Sequence, residues 1–340
     1  MITIHILHAG ITHQSPYFYN FCKYLGKFDD FNYIINPNLP QTSPDGNGII
    51  YFNRLKRFYD SSDIKTAISF LKQIKDKKMQ GWKIVMTLHN FFPIDREITD
   101  VDKYVTKHFL NECDLVFTLS EYLKNSIKKN YGIVAINHGM GYNFLDGPFN
   151  NNLVRKIKKD KFVFTFVGNI YHYKMLDDVI NTFNKINLSN NAYLIIAGTE
   201  AKNANVHIEE LINDNQNIIF FNGFIGENDW LKLSEMTDVF ISLYDISLPA
   251  FKYGFFPSNY INIYKTGKPC ISPKHELFSE MMDDRQMIYY NFSDKKGLMN
   301  AMNYAMNHKI KKLNNDVYKR YNWDKQIEIF TQNVRRLYEN

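Results

Sequence analysis

Residues 257–269, PSNYINIYKTGKP, read as a short helix with a marked start and stop. Pro257, Ser258 and Asn259 open it, Gly267 closes it, and Lys268-Pro269 lead into the β-rich Cys270-Ile271-Ser272. A helix that begins on small polar residues presents backbone N–H groups with no intrahelical acceptor, at the positive end of its dipole. That combination suits a phosphate. Alone, the pattern fits any capped helix that precedes a strand. Its surroundings give it weight.

Upstream of the helix, FVFTFVG (162–168), AYLIIAG (192–198), NIIFFNG (217–223) and DVFISLY (238–244) read as strands. Helices are predicted between them at 176–187, 205–214 and 227–236. The first half repeats the alternation. Strands are predicted at 2–8, 32–36, 48–52, 82–90, 115–120 and 133–139, and helices at 16–25, 62–78, 100–112 and from the Ser120 cap to about 130. In 62–78, Ile64, Ala67, Ile68, Leu71 and Ile74 keep helical spacing. Alternating strands and helices imply mainly parallel α/β sheets, whose ligands sit beyond the C-terminal strand ends. Residues 146–161, with Gly147, Pro148, a run of Asn and then KIKKDK, break the pattern and read as a linker. A helical tail follows Tyr321-Asn322-Trp323.

The 340 residues suffice for two domains, and the 45% hydrophobic and 16% aromatic content excludes a disordered chain. The net charge of +6 is local, because residues 51–83 carry nine Lys/Arg against three Asp. Tyr51, Phe52, Phe58 and Tyr59 are interleaved there, a composition that suits an anionic membrane surface. No nucleic-acid module is recognisable. Cys22, Cys113 and Cys270, odd in number and widely spaced, fit neither a disulfide scaffold nor a zinc site. The N-terminal MITIHILHAGITHQ has no basic region before its apolar run, so no signal peptide is expected. No apolar stretch reaches the ~18 residues of a membrane span. The expected location is the cytoplasm, with peripheral contact at the inner face of the membrane. Gly-x-Gly-x-x-Gly and Walker loops are missing, so dinucleotide and ATP chemistry lack their signatures.

In order and spacing, FVGN…YK…LDDVINTF…AYLIIAGT…FFNGFI…DVFISLYD…PSNYINIYKTGKPCIS resembles a GT-B glycosyltransferase of the family 4 type, most clearly over 162–273. TLHNFFPIDRE (87–97), INHGMGYNFLD (136–146) and the Tyr-Asn-Trp tail are similar to segments of bacterial enzymes of polysaccharide and glycan assembly. The resemblance implies two Rossmann-like domains facing across a cleft. These are an acceptor-side domain over 1–150, a nucleotide-sugar donor domain over 151–320 and a C-terminal helix over 321–340 packing back on the first domain. It implies transfer of a hexose-type sugar, with a UDP-sugar as expected donor, to a hydroxyl of a glycan or lipid-linked acceptor. Retention of configuration is expected, and neither a bound metal nor a cofactor.

The resemblance also distributes roles. Lys174 contacts the donor diphosphate, where an ammonium can neutralise charge on the leaving group. Gly168 ends the strand before it, and His172 stands near the usual place of an Arg. Pro257, Ser258 and Asn259 supply the helix start, Asn262 faces the ribose and Phe224 the base. His89 lies beside the transferred sugar, and Gly10 with His13 lies in the loop after the first strand. Asp95 or Glu97 is a candidate general base, and His138 points toward the acceptor. Three positions depart from the family pattern. Met175 replaces the Gly that usually follows the lysine, Asn262 replaces a Glu, and Gly254 stands where a Glu usually lies near the donor sugar. Asp245 and Lys252 are the nearby residues that can substitute for it. The departures keep two rival readings open, a catalytically inactive partner or chaperone of another glycosyltransferase and a nucleotide-sugar epimerase. Asp177-Asp178 and Asp283-Asp284 read as helix-start and surface charges, not metal ligands.

Overall fold

The computed structural model describes residues 1–8, 16–142, 161–186, 191–201, 208–212 and 215–339. The chain divides into two compact units, Met1–Asn143 with Leu248–Phe256 and Tyr318–Asn340, and Phe144–Ser247 with Pro257–Val317.

The first unit contains β1 (Ile2–Leu7), α1 (Pro16–Leu25), β2 (Phe31–Asn36), β3 (Asn47–Phe52), α2 (Ile64–Met79), β4 (Lys83–Leu88), α3 (Asp100–Glu112), β5 (Leu115–Thr118), α4 (Glu121–Tyr131) and β6 (Ile136–Asn137). Its strands form a parallel sheet in the order β2-β1-β3-β4-β5-β6. The second unit holds β7 (Phe162–Val167), α5 (Leu176–Ile186), β8 (Ala192–Gly198), α6 (Ile208–Ile212), β9 (Ile218–Asn222), α7 (Glu227–Met236) and β10 (Val239–Ile241). After α8 (Pro249–Tyr253), which belongs to the first unit, come α9 (Asn259–Thr266), β11 (Cys270–Pro273), α10 (Glu276–Met281), β12 (Met287–Tyr290) and α11 (Gly297–Asn307). The second sheet is also parallel, in the order β12-β11-β10-β7-β8-β9. Its order reverses between β7 and β10, and such a switch point is where open α/β sheets bind ligands. The chain ends with α12 (Val317–Arg320) and α13 (Trp323–Arg336).

Caps explain the helix boundaries. Asp63 accepts from the Lys65 N–H before α2, Ser120 from Leu123 before α4, and Thr99 and Asp102 form a reciprocal capping box before α3. Two strands are shorter than the sequence predicts. The expected strand 133–139 survives only as β6, because the Asn137 side chain accepts from the Gly139 N–H and Gly139 adopts φ 71°. The expected 238–244 stops at Ile241, because the chain turns to let the Asp245 N–H donate to the Tyr173 carbonyl. The helix predicted at 205–214 is observed as α6, with flanks outside the described residues. The linker over 146–160 also lies outside them. Five elements, α8, α10, β12, α11 and α12, are absent from the sequence reading, and all but α11 are six residues or shorter, too short to show a period.

The terminal helix is part of the first unit. Trp323 packs on Tyr17 and Tyr24, Phe330 on Phe21, Tyr51 and Phe117, and Arg335 makes two hydrogen bonds to Asp30. The Trp323 indole lies directly on Gly141 and donates to the Tyr142 carbonyl at 3.1 Å, while the Tyr142 N–H donates to Tyr321. Thus the Tyr-Asn-Trp tail fastens the loop 138–142. A Cβ at Gly141 would lie 2.2 Å from the indole. The substitution Gly141→Ala should therefore lower stability by about 1–3 kcal/mol. Urea denaturation followed by tryptophan fluorescence checks this, and an unchanged midpoint would refute the contact.

Candidate active site

The second unit's switch point gathers three residues proposed from the sequence. Gly168 follows β7 with φ 120°, a backbone state that favours glycine. The position of a Cβ there is 3.2 Å from Lys174 Nζ and 3.8 Å from Asn259 Oδ1. Only a residue with no side chain leaves the ammonium this room. The Asn259 amide in turn donates to the Val167 carbonyl at 2.9 Å, tying the start of α9 to the end of β7. Gly198, at the end of β8, approaches the Gly168 backbone so closely that a Cβ would overlap its carbonyl oxygen. A side chain at Gly198 would push these two strand ends apart.

Lys174 ends a single 3₁₀ turn, His172–Lys174, and is 8% exposed. No carboxylate pairs with its ammonium among the described residues. Burial pushes its pKa down to about 8.

The departure at Met175 has a structural explanation. Met175 is left-handed, with φ 52°, the only non-glycine residue with positive φ among those described. The turn after Lys174 keeps a glycine-like backbone although the residue is methionine. That state is disfavoured by roughly 1–2 kcal/mol, and the methionine side chain packs on the second unit's core in compensation.

At α9, Pro257 is buried and Ser258 exposed. Neither the Ser258 nor the Asn259 N–H has a protein acceptor among the described residues, whereas the Pro257 and Ser258 carbonyls already receive Tyr260 and Ile261. Asn262 lies one turn on, half-buried. His172 is exposed on the Lys174 turn, and Phe224 is 51% exposed after β9. Asp245 is bound by the Ser247 N–H and hydroxyl, and Lys252 lies on α8 in the first unit.

Gly254 is a packing position. With φ 105°, it follows α8, and a Cβ there would sit 2.9 Å from Leu123 and 3.2 Å from Tyr122. Its carbonyl accepts from Phe91, and Asn90 bridges to Phe255. A glutamate here would be strained by the positive φ and would have to push aside the Leu123 and Tyr122 side chains of α4.

In the first unit, His89 and His138 follow the ends of β4 and β6. A buried chain of hydroxyls runs Tyr17–Tyr51–Thr87–His138 at 3.0, 2.8 and 3.2 Å. The His89 ring stands edge-on to Tyr17, with centroids 4.5 Å apart. His89 Nε2 and His138 Nδ1 are buried with no hydrogen-bond partner among the described residues. Burial holds both imidazoles down at about 3, and Arg54, in the loop after β3, adds to the effect at His89. Both rings are therefore neutral near pH 7, suited to hydrogen-bonding hydroxyls and not to countering a phosphate charge. Arg54 was visible in the sequence only as one member of a basic run. Asp95 is engaged by Lys56 at 2.7 Å, which holds its carboxyl below the usual range against the opposing effect of burial. Glu97 is exposed. Between them Arg96 forms a two-pronged pair with the buried Asp102, which also receives Tyr59. That network anchors the loop after β4. Gly10 and His13 lie outside the described residues.

A family model of glycosyl transferases group 1 matches residues 150–323, slightly more than half of the chain. The chain belongs to the group 1 glycosyl transferases. No curated protein matches it by sequence. Among solved structures, a glycosyltransferase from Rickettsia africae is similar at 13% identity and TM-score 0.66, covering 100% of this chain and 99% of that one. Anabaena HepE, solved with UDP and glucose, is similar at 12% identity and TM-score 0.68, with 98% and 99% covered. The catalytic domain of Arabidopsis thaliana starch synthase IV, solved with ADP and acarbose, gives 11% identity, TM-score 0.56 and 100% and 98% coverage. These likenesses establish the GT-B fold. The glycosyltransferase has, among its described residues, no helix long and apolar enough to cross a membrane.

The two histidines make the glycosyltransferase acid-sensitive. The unfolded chain takes up protons near pH 6.5, whereas the folded rings resist until about 3. Stability is thus full above about 6.5 and falls as pH drops through that window. Chemical denaturation from pH 8 to 4 should show this decline, and His138→Gln should flatten it. A slope unchanged in the variant would count against buried neutral His138.

Proposed function

We propose that this glycosyltransferase moves a hexose-type sugar from a UDP-linked donor to a hydroxyl of a glycan or lipid-linked acceptor. The reading rests on one observation: an unpaired, buried ammonium and the start of α9 meet over a side-chain-free Gly168 at a sheet switch point. Lys174 faces the donor diphosphate, and the free N–H groups of Ser258 and Asn259 donate hydrogen bonds to its oxygens. Asn262 hydrogen-bonds the ribose and Phe224 offers its exposed face to the base. His89, being neutral, binds a sugar hydroxyl. As the bond from the anomeric carbon to the diphosphate breaks, the ammonium and the helix start take up the developing charge, so no bound metal is needed for that step. Asp95 is tied to Lys56 and position 254 has no side chain. The departing phosphate oxygen then takes the acceptor hydroxyl's proton, and configuration is retained.

Residues 1–150 serve the acceptor in this reading, 151–320 the donor, and 321–340 the packing of the terminal helix. The membrane-facing surface is narrower than the sequence implied. Tyr51 and Phe52 are core residues, and Lys56, Lys75, Lys78 and Lys83 pair with carboxylates. What remains exposed is a face of α2 and α3 with Ile64, Ile68 and Tyr104 beside Lys65 and Lys72. A groove of about 270 Å³ runs through it. We assign this face to an anionic bilayer at the inner side of the membrane, which would present a lipid-linked acceptor.

Nucleotide screening by thermal shift tests the donor site. A ligand at 100 times its Kd adds about 2.7 kcal/mol, so UDP should raise Tm by several degrees. Lys174→Ala should abolish the shift, and affinity should fall as pH rises through about 8, where the ammonium loses its proton. A Lys174→Ala variant that still binds UDP normally would defeat the assignment. For the surface, Lys65→Glu with Lys72→Glu should weaken sedimentation with phosphatidylglycerol vesicles while leaving UDP binding intact. Equal sedimentation would remove the membrane assignment.

A further inference from the structure

We propose that Tyr244 is a positioning residue for the donor site, its ring wedged between the Lys174 turn and α9 so as to hold one against the other. This rests on the reading that Lys174 grips a diphosphate, and it extends that reading to a residue with no sequence signal.

Tyr244 follows β10, across the switch point from Lys174, and is 4% exposed. Lys174 Nζ lies over its ring, 5.7 Å from the centroid, within the range at which an aromatic face attracts a cation. The Tyr173 ring lies nearly parallel to it at 6.3 Å, and the adjacent Asp245 N–H donates to the Tyr173 carbonyl at 2.8 Å. Two contacts thus fasten the Lys174 turn to the segment after β10. On its other side Tyr244 packs on Tyr260, with centroids 6.2 Å apart, and on Phe278 of α10. Tyr260 is the residue after Asn259. Its hydroxyl bonds to the Ser242 carbonyl and the Ser272 hydroxyl, so its ring is fixed in turn. The column Tyr173–Tyr244–Tyr260 therefore runs from the lysine's turn to the first turn of the phosphate helix. No carboxylate supports the lysine among the described residues, and the aromatic face takes that place. The titratable groups on the surrounding elements are Tyr171, His172 and Tyr173 at its own turn, Asp177, Asp178 and Lys185 of α5, Asp245, Tyr260, Tyr264 and Lys265 of α9, Cys270 of β11, and His275, Glu276 and Glu280 before and on α10.

The experiment compares wild type, Tyr244→Phe and Tyr244→Met, the last keeping bulk but removing the aromatic face. UDP affinity is measured by calorimetry from pH 6.5 to 9.5, and the titration of Lys174 by NMR of ¹³Cε-labelled lysine without ligand. Phe should bind UDP within about twofold of wild type. Met should weaken binding roughly tenfold and move the lysine midpoint to lower pH while remaining folded by circular dichroism. A folded Met variant with wild-type affinity and an unmoved midpoint overturns the proposal. If Met does not fold, a Phe variant whose affinity and midpoint depart from wild type overturns it. Wild-type protein that binds no UDP, or a Lys174→Ala variant that binds it normally, overturns the donor reading itself; the ligand-free titration still judges Tyr244.

Discussion

A primary amine buried with no counter-charge is the constraint around which the second unit is organised. Desolvating Lys174 is unfavourable, and the usual remedy, a neighbouring carboxylate, is missing among the described residues. The fold makes the position tenable by other means. Gly168 leaves space, a left-handed Met175 turns the backbone, and aromatic rings line the far side. Each of these would be a liability in a protein whose only requirement was stability. In the proposed function they keep a positive charge available for the donor diphosphate, with the strain concentrated at the position that uses it.

The first unit shows a different economy. Beneath its strand ends lie two neutral imidazoles and a file of hydroxyls, and its buried carboxylate, Asp102, is paired with Arg96. Neutral groups of this kind are able to hydrogen-bond hydroxyls.

Much of this was legible in the amino-acid order because β strands and helices alternate with strong apolar periods. Ser120 caps its helix as its chemistry dictates. Lys174, Gly168 and Asn259 were legible too, since each stands at a strand end or helix start. What escaped had physical reasons. The pairing of Arg96 with Asp102 depends on a loop closing on a helix, although Thr99-x-x-Asp102 was a visible capping signature. Tyr244 looked like one more apolar residue in a strand. Gly254 read as a missing acid, and its contact with Leu123 and Tyr122 of α4, more than a hundred residues away in sequence, was invisible. The basic run 51–83 misled about its aromatic residues because charge is visible in a sequence and burial is not.

The composition of the first unit has a practical consequence for dissection by cloning. Three separate stretches build it, and the last two are encoded after most of the second unit. A fragment cut at the apparent linker would lack α13 and the strap 248–256. Phe91, Phe92, Phe330's partners and the bed of Trp323 would then face water. Expression of the isolated half should give an insoluble product, and on the ribosome this half cannot complete its core until α13 has been synthesised.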